Sequence, residues 1–264
     1  PEKFMAIEDI FNDVSEEFST IICDEGHLLD DNSRGLSYEL LLSRLKSSKD
    51  KKRFIFISAI IPNISTVNSW LGGDENTLIE SNYRPTELEF AFLNKMNKVN
   101  AFFLDINPHK DQPYNYQLYN FLTNRELKKP DGRKITSKIG LSVAVSLKAT
   151  NSGTVALFAP HKRGKTGVEG LANETLSQLI ESDFNNLIQY SSEEYLFSLS
   201  EYFSYIFGID YLLTRASKFG FLYHHGDFPQ NVREIIEDAL RKNEIRFVIC
   251  TNTLAEGVNL PIKT

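Results

Sequence analysis

The sequence predicts an α/β fold with mainly parallel sheets flanked by helices, and two observations support this. Short apolar runs alternate with helical patterns, first Thr20–Cys23, then the leucine spacing of Leu36–Leu45, then Phe54–Ile57. A strand, a helix and a strand at this spacing form a βαβ unit, whose buried strands are parallel. The length of 264 residues allows two ordinary domains or one large one.

Composition and charge restrict the class of protein. Hydrophobic residues make up 41% of the chain and charged residues 24%, as in a globular protein. The formal net charge of -6 argues against a tail-like nucleic-acid binder, although a local basic face stays compatible with binding. The apolar runs are far shorter than the roughly 20 residues that cross a bilayer, and Pro1–Lys3 does not open a signal peptide.

The two cysteines, Cys23 and Cys250, each end an apolar, strand-like run. No other potential ligands cluster near them in the sequence, so reduced core residues are favoured over a disulfide or half of a metal site. We therefore expect a cytoplasmic protein that has no membrane partner. The sequence leaves its oligomeric state open.

The rest of the chain continues the α/β pattern beyond a boundary at Asn82–Pro85. The predicted elements are β-like runs at Glu87–Leu93 and Ala101–Ile106, long loops over Asn107–Lys134, a helix or strand at Ile139–Leu147, a strand at Thr154–Phe158, a helix at Leu171–Leu187, a helical, aromatic-rich stretch at Tyr190–Leu213, a strand at Phe219–Tyr223, an amphipathic helix at Val232–Leu240 and a buried strand at Arg246–Cys250. The aromatic residues of the helical stretch are interpreted as core rather than as a platform for stacking bases.

Two adjacent carboxylates, Asp24 and Glu25, stand where the first buried strand ends. In open α/β sheets, ligands bind at the carboxyl edge of the strands. One carboxylate can hold Mg²⁺ through water while the next activates the attacking water, as in enzymes that hydrolyse nucleotide phosphates. Such a pair can also simply cap a helix. Ser58, after the next strand, should lie at the same edge.

These residues resemble superfamily-two helicases. The stretch Asp24-Glu25-Gly26-His27 matches the D-E-x-H box of that superfamily. The segments around it resemble the superkiller-type DExH branch, although that branch typically reads S-A-T where this chain has Ser58-Ala59-Ile60. The supporting segments are Pro1-Glu2-Lys3, Arg34-Gly35, Tyr38-Glu39, Ser43-Arg44-Leu45, Pro62-Asn63, Trp70-Leu71-Gly72 and Arg84-Pro85.

The end of the chain carries the most specific resemblance. The stretch from Thr251 to Pro261 closely resembles motif five of the superkiller-type branch, which usually reads T-x-T-L-A-x-G-V-N-L-P. His225-Gly226-Asp227, followed by Gln230 and Arg233, resembles the H-G-x and Q-x-x-R region of the second helicase lobe. Pro108–Lys134 and Tyr190–Leu213 match no segment of the family in this way, and their role is open.

The resemblance implies two incomplete RecA-like domains, residues 1–83 from the first lobe and residues 84–264 from the second. It implies ATP and Mg²⁺ as cofactors, with Glu25 as catalytic base, Asp24 holding Mg²⁺, and His27 in the same catalytic group. Gly257 and Asn259 would approach the nucleotide, and Ser58 would couple hydrolysis to strand movement. Contacts to single-stranded or duplex RNA or DNA are implied for Lys3, Gly226, Gln230, Arg233, Thr251 and Asn252.

A basic turn, Ala159–Thr166, fits a relaxed phosphate-loop pattern. Pro160 removes one backbone donor and the leading glycine is missing, so a nucleic-acid-facing or solvated turn is favoured. A phosphoryl transferase built on Gly164, Lys165 and Thr166 stays an alternative, as does a non-catalytic helicase-like module. In the resembling family the phosphate loop precedes the matching segment, so we expect this piece of an ATP-dependent helicase to be inactive alone.

Overall fold

A computed structural model describes residues 18–32, 34–47, 52–59, 61–81, 83, 89–97, 101–108, 114–129, 131–181 and 187–255. The chain divides into two compact units, residues 1–87 and 88–264. In the order of the chain, unit 1 contains β1 (Thr20–Cys23), α1 (Gly35–Lys46), β2 (Arg53–Phe56) and α2 (Ile64–Leu71), with short 3-10 helices at Gly26–Asp30 and Glu75–Thr77.

Unit 1 contains the predicted parallel strand pair. β1 and β2 run in register from Thr20 opposite Arg53 to Cys23 opposite Phe56. The helix α1 connects them and packs on one face, so this part of the chain is the predicted βαβ unit. The parallel pairing places the carboxyl ends of both strands at one edge.

Two details of unit 1 differ from the predicted burial. The strands were predicted as buried, but Ile22 is 65% exposed and Ile55 is 36% exposed, because the described helices cover only the opposite face of the sheet. In α1 the buried face is formed by Tyr38, Leu41 and Leu42 rather than by all the predicted leucines. The small core consists of Cys23, Tyr38 and Leu42, with partly buried aromatic side chains around it.

Unit 2 begins with an antiparallel sheet formed by β3 (Ala91–Lys95), β4 (Phe102–Ile106) and β5 (Tyr116–Leu122) in the order β3-β4-β5. The predicted long loop over 107–134 is therefore wrong in its middle part. Five of the seven β5 residues are exposed. In the sequence, the alternation of apolar and polar residues is interrupted between Leu118 and Tyr119, so the period of two that indicates a strand is broken. Its pairing with β4 identifies it as a strand.

The second sheet of unit 2 is parallel and has the order β6-β8-β7, with β6 at Val155–Phe158, β7 at Leu222–His224 and β8 at Phe247–Cys250. All four residues of the central β8 are buried. The surrounding helices are α3 (Lys138–Ala149), α4 (Val168–Glu181), α5 (Glu193–Phe207), α6 (Leu212–Lys218) and α7 (Gln230–Arg241), with a 3-10 helix at Leu187–Tyr190 and the short α8 at Asn252–Ala255. The predicted mixed α/β class, with parallel sheets flanked by helices, is confirmed.

The helical predictions for unit 2 hold with changed boundaries. The undecided stretch 139–147 is helix α3, and the aromatic-rich stretch is divided between α5 and α6 because Gly208, with φ 93°, ends α5. Most of the aromatic residues of that stretch pack in or against the core, whereas Phe197 and Tyr205 are 65% and 91% exposed. The core interpretation is thus right for most of them.

Both cysteines are free and buried, as predicted. Burial raises the pKa of the Cys250 thiol to about 11, and burial likewise raises the pKa of the Cys23 thiol. Within the described residues, no helix combines the length and the apolar character that a membrane span requires.

Candidate nucleotide and nucleic-acid sites

The acidic motif of unit 1 forms a tight turn directly after β1. Glu25 has a left-handed backbone with φ 54° and ψ 46°, and its N–H donates to Asp24 Oδ1 over 2.8 Å. Residues other than glycine seldom adopt this conformation, which costs energy and persists only where the surroundings hold it. The turn therefore fixes the directions in which both carboxylates leave the backbone.

Gly26 connects this turn to the end of β2 by a backbone hydrogen bond. Its N–H donates to the carbonyl of Ile57 over 2.8 Å, and the N–H of Ile57 donates to the carbonyl of Cys23 over the same distance. A Cβ atom on Gly26 would lie 2.2 Å from Cε1 of Phe56, so a side chain does not fit there. These contacts bring the backbone just before Ser58 beside the acidic motif, and Ser58 itself is partly buried.

Glu25 and His27 lie next to each other at this edge. His27 Nδ1 is 3.2 Å from Glu25 Oε2, and the two side chains are 46% and 51% exposed. The contact restrains the rotation of the Glu25 carboxylate and leaves it accessible to solvent. The side chain is thus available to accept a proton from water.

Tyr38 contacts the backbone of the acidic motif, and the sequence analysis did not identify this contact. Its hydroxyl donates to the carbonyl of Asp24 over 3.4 Å, and burial together with the neighbouring Cys23 and Asp24 raises the pKa of Tyr38. The phenol is therefore a neutral, fixed donor. Its position on the buried face of α1, a helical turn before Leu41 and Leu42, is the signal that could have identified it.

The donor set fits a magnesium ion that a nucleotide brings with it. The exposed carboxylate of Asp24 keeps one oxygen beyond the one that binds Glu25 N–H. No group of three or more potential metal ligands occurs among the described residues. Mg²⁺ usually binds through one or two carboxylates, with water and phosphate oxygens completing its shell.

Three segments of unit 2 leave the same edge of the parallel sheet. Phe158, Cys250 and His224 end their strands in register, because β8 pairs in parallel with both neighbours. The N–H of Ala159 donates to the carbonyl of Cys250 over 2.8 Å, and the N–H of Thr251 donates to that of His224 over 3.3 Å. The basic turn, the loop after β7 and the segment after β8 thus emerge together.

This edge includes most of the residues predicted to contact nucleic acid. Gly226, Gln230 and Asn252 are exposed, while Arg233 and Thr251 are partly buried. Gln230 and Arg233 lie in the first turn of α7, directly after the loop that contains Gly226. Neutral polar side chains and an arginine at one rim suit a sugar–phosphate backbone.

A buried histidine pair lies behind this rim. His224 and His225 are 1% and 3% exposed, and none of their ring nitrogens has a hydrogen-bond partner among the described residues. His225 stacks on Phe228 with 4.0 Å between ring centroids, and Glu237 Oε1 lies 3.4 Å from His224 Nε2, outside hydrogen-bond geometry. Burial lowers the pKa of each histidine to about 4, assisted by Arg233 beside His224 and by Lys162 near His225.

The first backbone donors of α4, directly after the basic turn, are already occupied. The N–H groups of Val168 and Glu169, at the start of α4, already donate to the carbonyls of His161 and Lys162 over 3.0 and 3.1 Å. Those donors are thus not free to surround a phosphate. Lys162 Nζ lies 3.0 Å from Asp227 Oδ2, which links the turn to the loop after β7, a pairing that sequence spacing does not reveal.

Three predicted site residues, Lys3, Gly257 and Asn259, lie outside the described residues. Most of the motif that gave the strongest resemblance lies there as well. The described part of that motif begins with Thr251 and continues into α8. The roles assigned to all these residues stay predictions.

Comparison with known proteins bears on the second unit most directly. Residues 172–263 match the helicase conserved C-terminal domain. The matched range runs from α4 through β7, α7 and β8 into motif five. This domain is RecA-like, so the parallel sheet of unit 2 has the predicted RecA-like architecture.

Two helicases and the Hachiman protein HamB are similar in sequence to nearly the whole chain. The Hachiman protein HamB of Bacillus cereus is 28% identical over 281 residues, which cover 100% of this chain and 24% of that protein. The ATP-dependent DNA helicase Hel308 of Thermoplasma volcanium is 26% identical over 94% of this chain and 29% of its own length. The Helicase POLQ-like protein of Drosophila melanogaster is 25% identical over 99% of this chain and 24% of its own.

The chain thus spans only 24–29% of the length of these relatives. The matches support the relation to superfamily-two helicases that the D-E-x-H box indicates.

Proposed function

We propose that this chain is part of an ATP-dependent DNA helicase of the superkiller-type branch, in which ATP hydrolysis drives movement along a strand. The observation that carries the proposal is the position of Asp24 and Glu25 at the carboxyl edge of a parallel strand pair, in a chain whose residues 172–263 match the helicase C-terminal domain. The names of the Hel308 relatives favour DNA over RNA. The branch is supported by the motifs around the acidic pair and after β8.

In unit 1, Glu25 acts as the general base. Its exposed carboxylate, oriented by the left-handed turn and by His27, accepts a proton from the water that attacks the terminal phosphate. The carboxylate of Asp24 would hold Mg²⁺, which would supply positive charge beside the phosphates. The Gly26–Ile57 hydrogen bond connects this turn to Ser58, through which hydrolysis is coupled to movement.

In unit 2, the rim of the parallel sheet binds the strand through its phosphates. Thr251 and Asn252 face the backbone from the end of β8, and Gly226, Gln230 and Arg233 face it from the loop after β7 and the start of α7. Contacts of this kind position a strand without reading its sequence. By the resemblance to helicases, Gly257 and Asn259 would approach the nucleotide and Lys3 would touch the strand.

The test is duplex unwinding and ATP hydrolysis by the full-length parent protein, with two variants. Under this proposal, Glu25→Gln abolishes unwinding, whereas Lys165→Ala retains ATP hydrolysis within about threefold, because the basic turn does not hold the nucleotide. The phosphoryl-transferase alternative predicts that Lys165→Ala loses ATP hydrolysis and that Glu25→Gln retains it. That result would refute the helicase assignment. The 264-residue chain alone is expected to show no steady ATP hydrolysis, and wild-type turnover that Glu25→Gln removes would contradict this.

A further inference from the structure

An open cavity of about 340 Å³ lies in unit 1, between the 3-10 helix that follows the acidic motif, α1 and α2. Its apolar wall consists of Leu29, Ile61, Val67 and Trp70. A volume near the lower end of the roughly 300–1,000 Å³ typical of small-ligand pockets suits a single long side chain. Gly26 of the acidic motif also lines the cavity, but the side chains assigned above to the nucleotide and to nucleic acid do not.

The rim of the cavity has four polar side chains, Asp30, Glu39, Asn63 and Thr66. Asp30, Glu39 and Asn63 are exposed, and in the described part of the chain neither carboxylate has a hydrogen bond or an ion pair. Lys46 donates to the backbone carbonyl of Trp70 and pairs with neither carboxylate. The side chain of Asn63, at the start of α2, does not cap that helix.

An apolar wall with a few uncommitted polar groups around it is the usual composition of a binding site. Here the charged groups have one sign, so the complementary ligand is a cation. Tryptophan is the aromatic side chain that attracts cations most strongly, and a carboxylate binds a guanidinium through paired hydrogen bonds. An apolar wall also accommodates the methylene stem of a long basic side chain.

We propose that this cavity binds an arginine side chain of a partner polypeptide. The methylene stem lies along Leu29, Ile61 and Val67, the guanidinium stacks on Trp70, and Asp30 and Glu39 accept its hydrogen bonds. Arginine is preferred to lysine because its planar, weakly hydrated head both stacks on the ring and forms forked hydrogen bonds. The site does not depend on the helicase function proposed above.

Trp70 is the chain's one tryptophan, so its fluorescence reports on this cavity alone. The 264-residue chain is titrated at constant ionic strength with Nα-acetyl-arginine amide, and binding is also measured by ligand-observed saturation-transfer NMR. We expect saturable binding with a dissociation constant of about 1 mM, a value usual for so small a ligand. The citrulline analogue, which has the same shape without the charge, should bind at least about tenfold more weakly.

Variants locate the site. The double substitution Asp30→Asn with Glu39→Gln should weaken arginine binding about tenfold, and both residues are exposed, so the fold should be retained. Glu80→Gln is the matched control, because Glu80 is an exposed acid of the same unit outside the cavity. Nα-acetyl-lysine amide is titrated in the same way. The proposal would be overturned if the citrulline analogue bound equally well, if the lysine amide bound more tightly, if the double variant bound arginine normally, or if neither method detected binding.

Discussion

At the scale of single residues, the histidine pair behind the rim is a neutral element of the fold. His224 and His225 are almost fully buried, and burial lowers the pKa of both from the ordinary 6.5 to about 4. The unfolded chain therefore binds more protons than the folded chain between these values. The stabilisation due to the neutral pair is complete above about pH 6.5 and is lost as the pH falls towards about 4.

We predict that His225→Phe makes the stability of unit 2 less sensitive to acid. The substitution keeps a ring stacked on Phe228 and removes one titrating group. Urea unfolding followed by circular dichroism at about pH 7.5 and about pH 5 should show a clearly smaller loss of unfolding free energy in the variant than in the wild type. Equal losses in both proteins would show that His225 does not remain neutral in the folded chain.

The sequence identified the acidic pair but not the contacts that orient it. The acidic pair can be located in the sequence because a buried strand is a short apolar run, and the first polar residues after the run mark the end of the strand. The contacts of Tyr38 and of Lys162 with Asp227 join residues far apart in sequence, so they depend on packing that no local pattern records. The burial of His224 and His225 likewise became evident only from the sheet.

At the scale of elements, α3 and α5 of unit 2 each begin after a serine whose side chain caps the helix. Ser192 precedes α5, and its side chain accepts a hydrogen bond from the N–H of Tyr195 over 3.1 Å. Glu193 and Glu194, in the first turn, favour the same end of the helix through its dipole. The break at Gly208 explains why one predicted stretch became two helices.

We predict that Ser192→Ala lowers the unfolding free energy by about 1 kcal/mol, because the substitution leaves an N–H of the first turn without its acceptor. Ser198→Ala is the control, since Ser198 is an exposed residue in the middle of the same helix. Urea unfolding of both variants measures the difference. A control that loses as much stability as Ser192→Ala would rule out the cap as the cause.

Strands were predicted well where an apolar run coincides with the strand and poorly elsewhere. The runs at β1, β2, β6 and β8 are apolar and were located within a residue or two. β5 was missed because the alternation of apolar and polar residues in its sequence is interrupted between Leu118 and Tyr119. β7 was placed too early because the apolar run begins at Phe219, before the strand itself.

At the scale of the whole molecule, we propose that the carboxyl edge of the parallel strand pair in unit 1 hydrolyses ATP and that the carboxyl edge of the parallel sheet in unit 2 binds a nucleic-acid strand. Parallel pairing explains why predicted site residues from distant parts of the chain collect at one edge within each unit. The match over residues 172–263 and the helicase relatives agree with this assignment.

The most direct test is steady-state ATP hydrolysis by the full-length parent protein, with and without a single-stranded DNA oligonucleotide. We predict that the oligonucleotide stimulates hydrolysis and that Glu25→Gln reduces the stimulated rate by at least about 100-fold, the usual effect of removing a general base, while the strand still binds. Hydrolysis that is indifferent to the strand, or a Glu25→Gln variant as active as the wild type, would contradict the account.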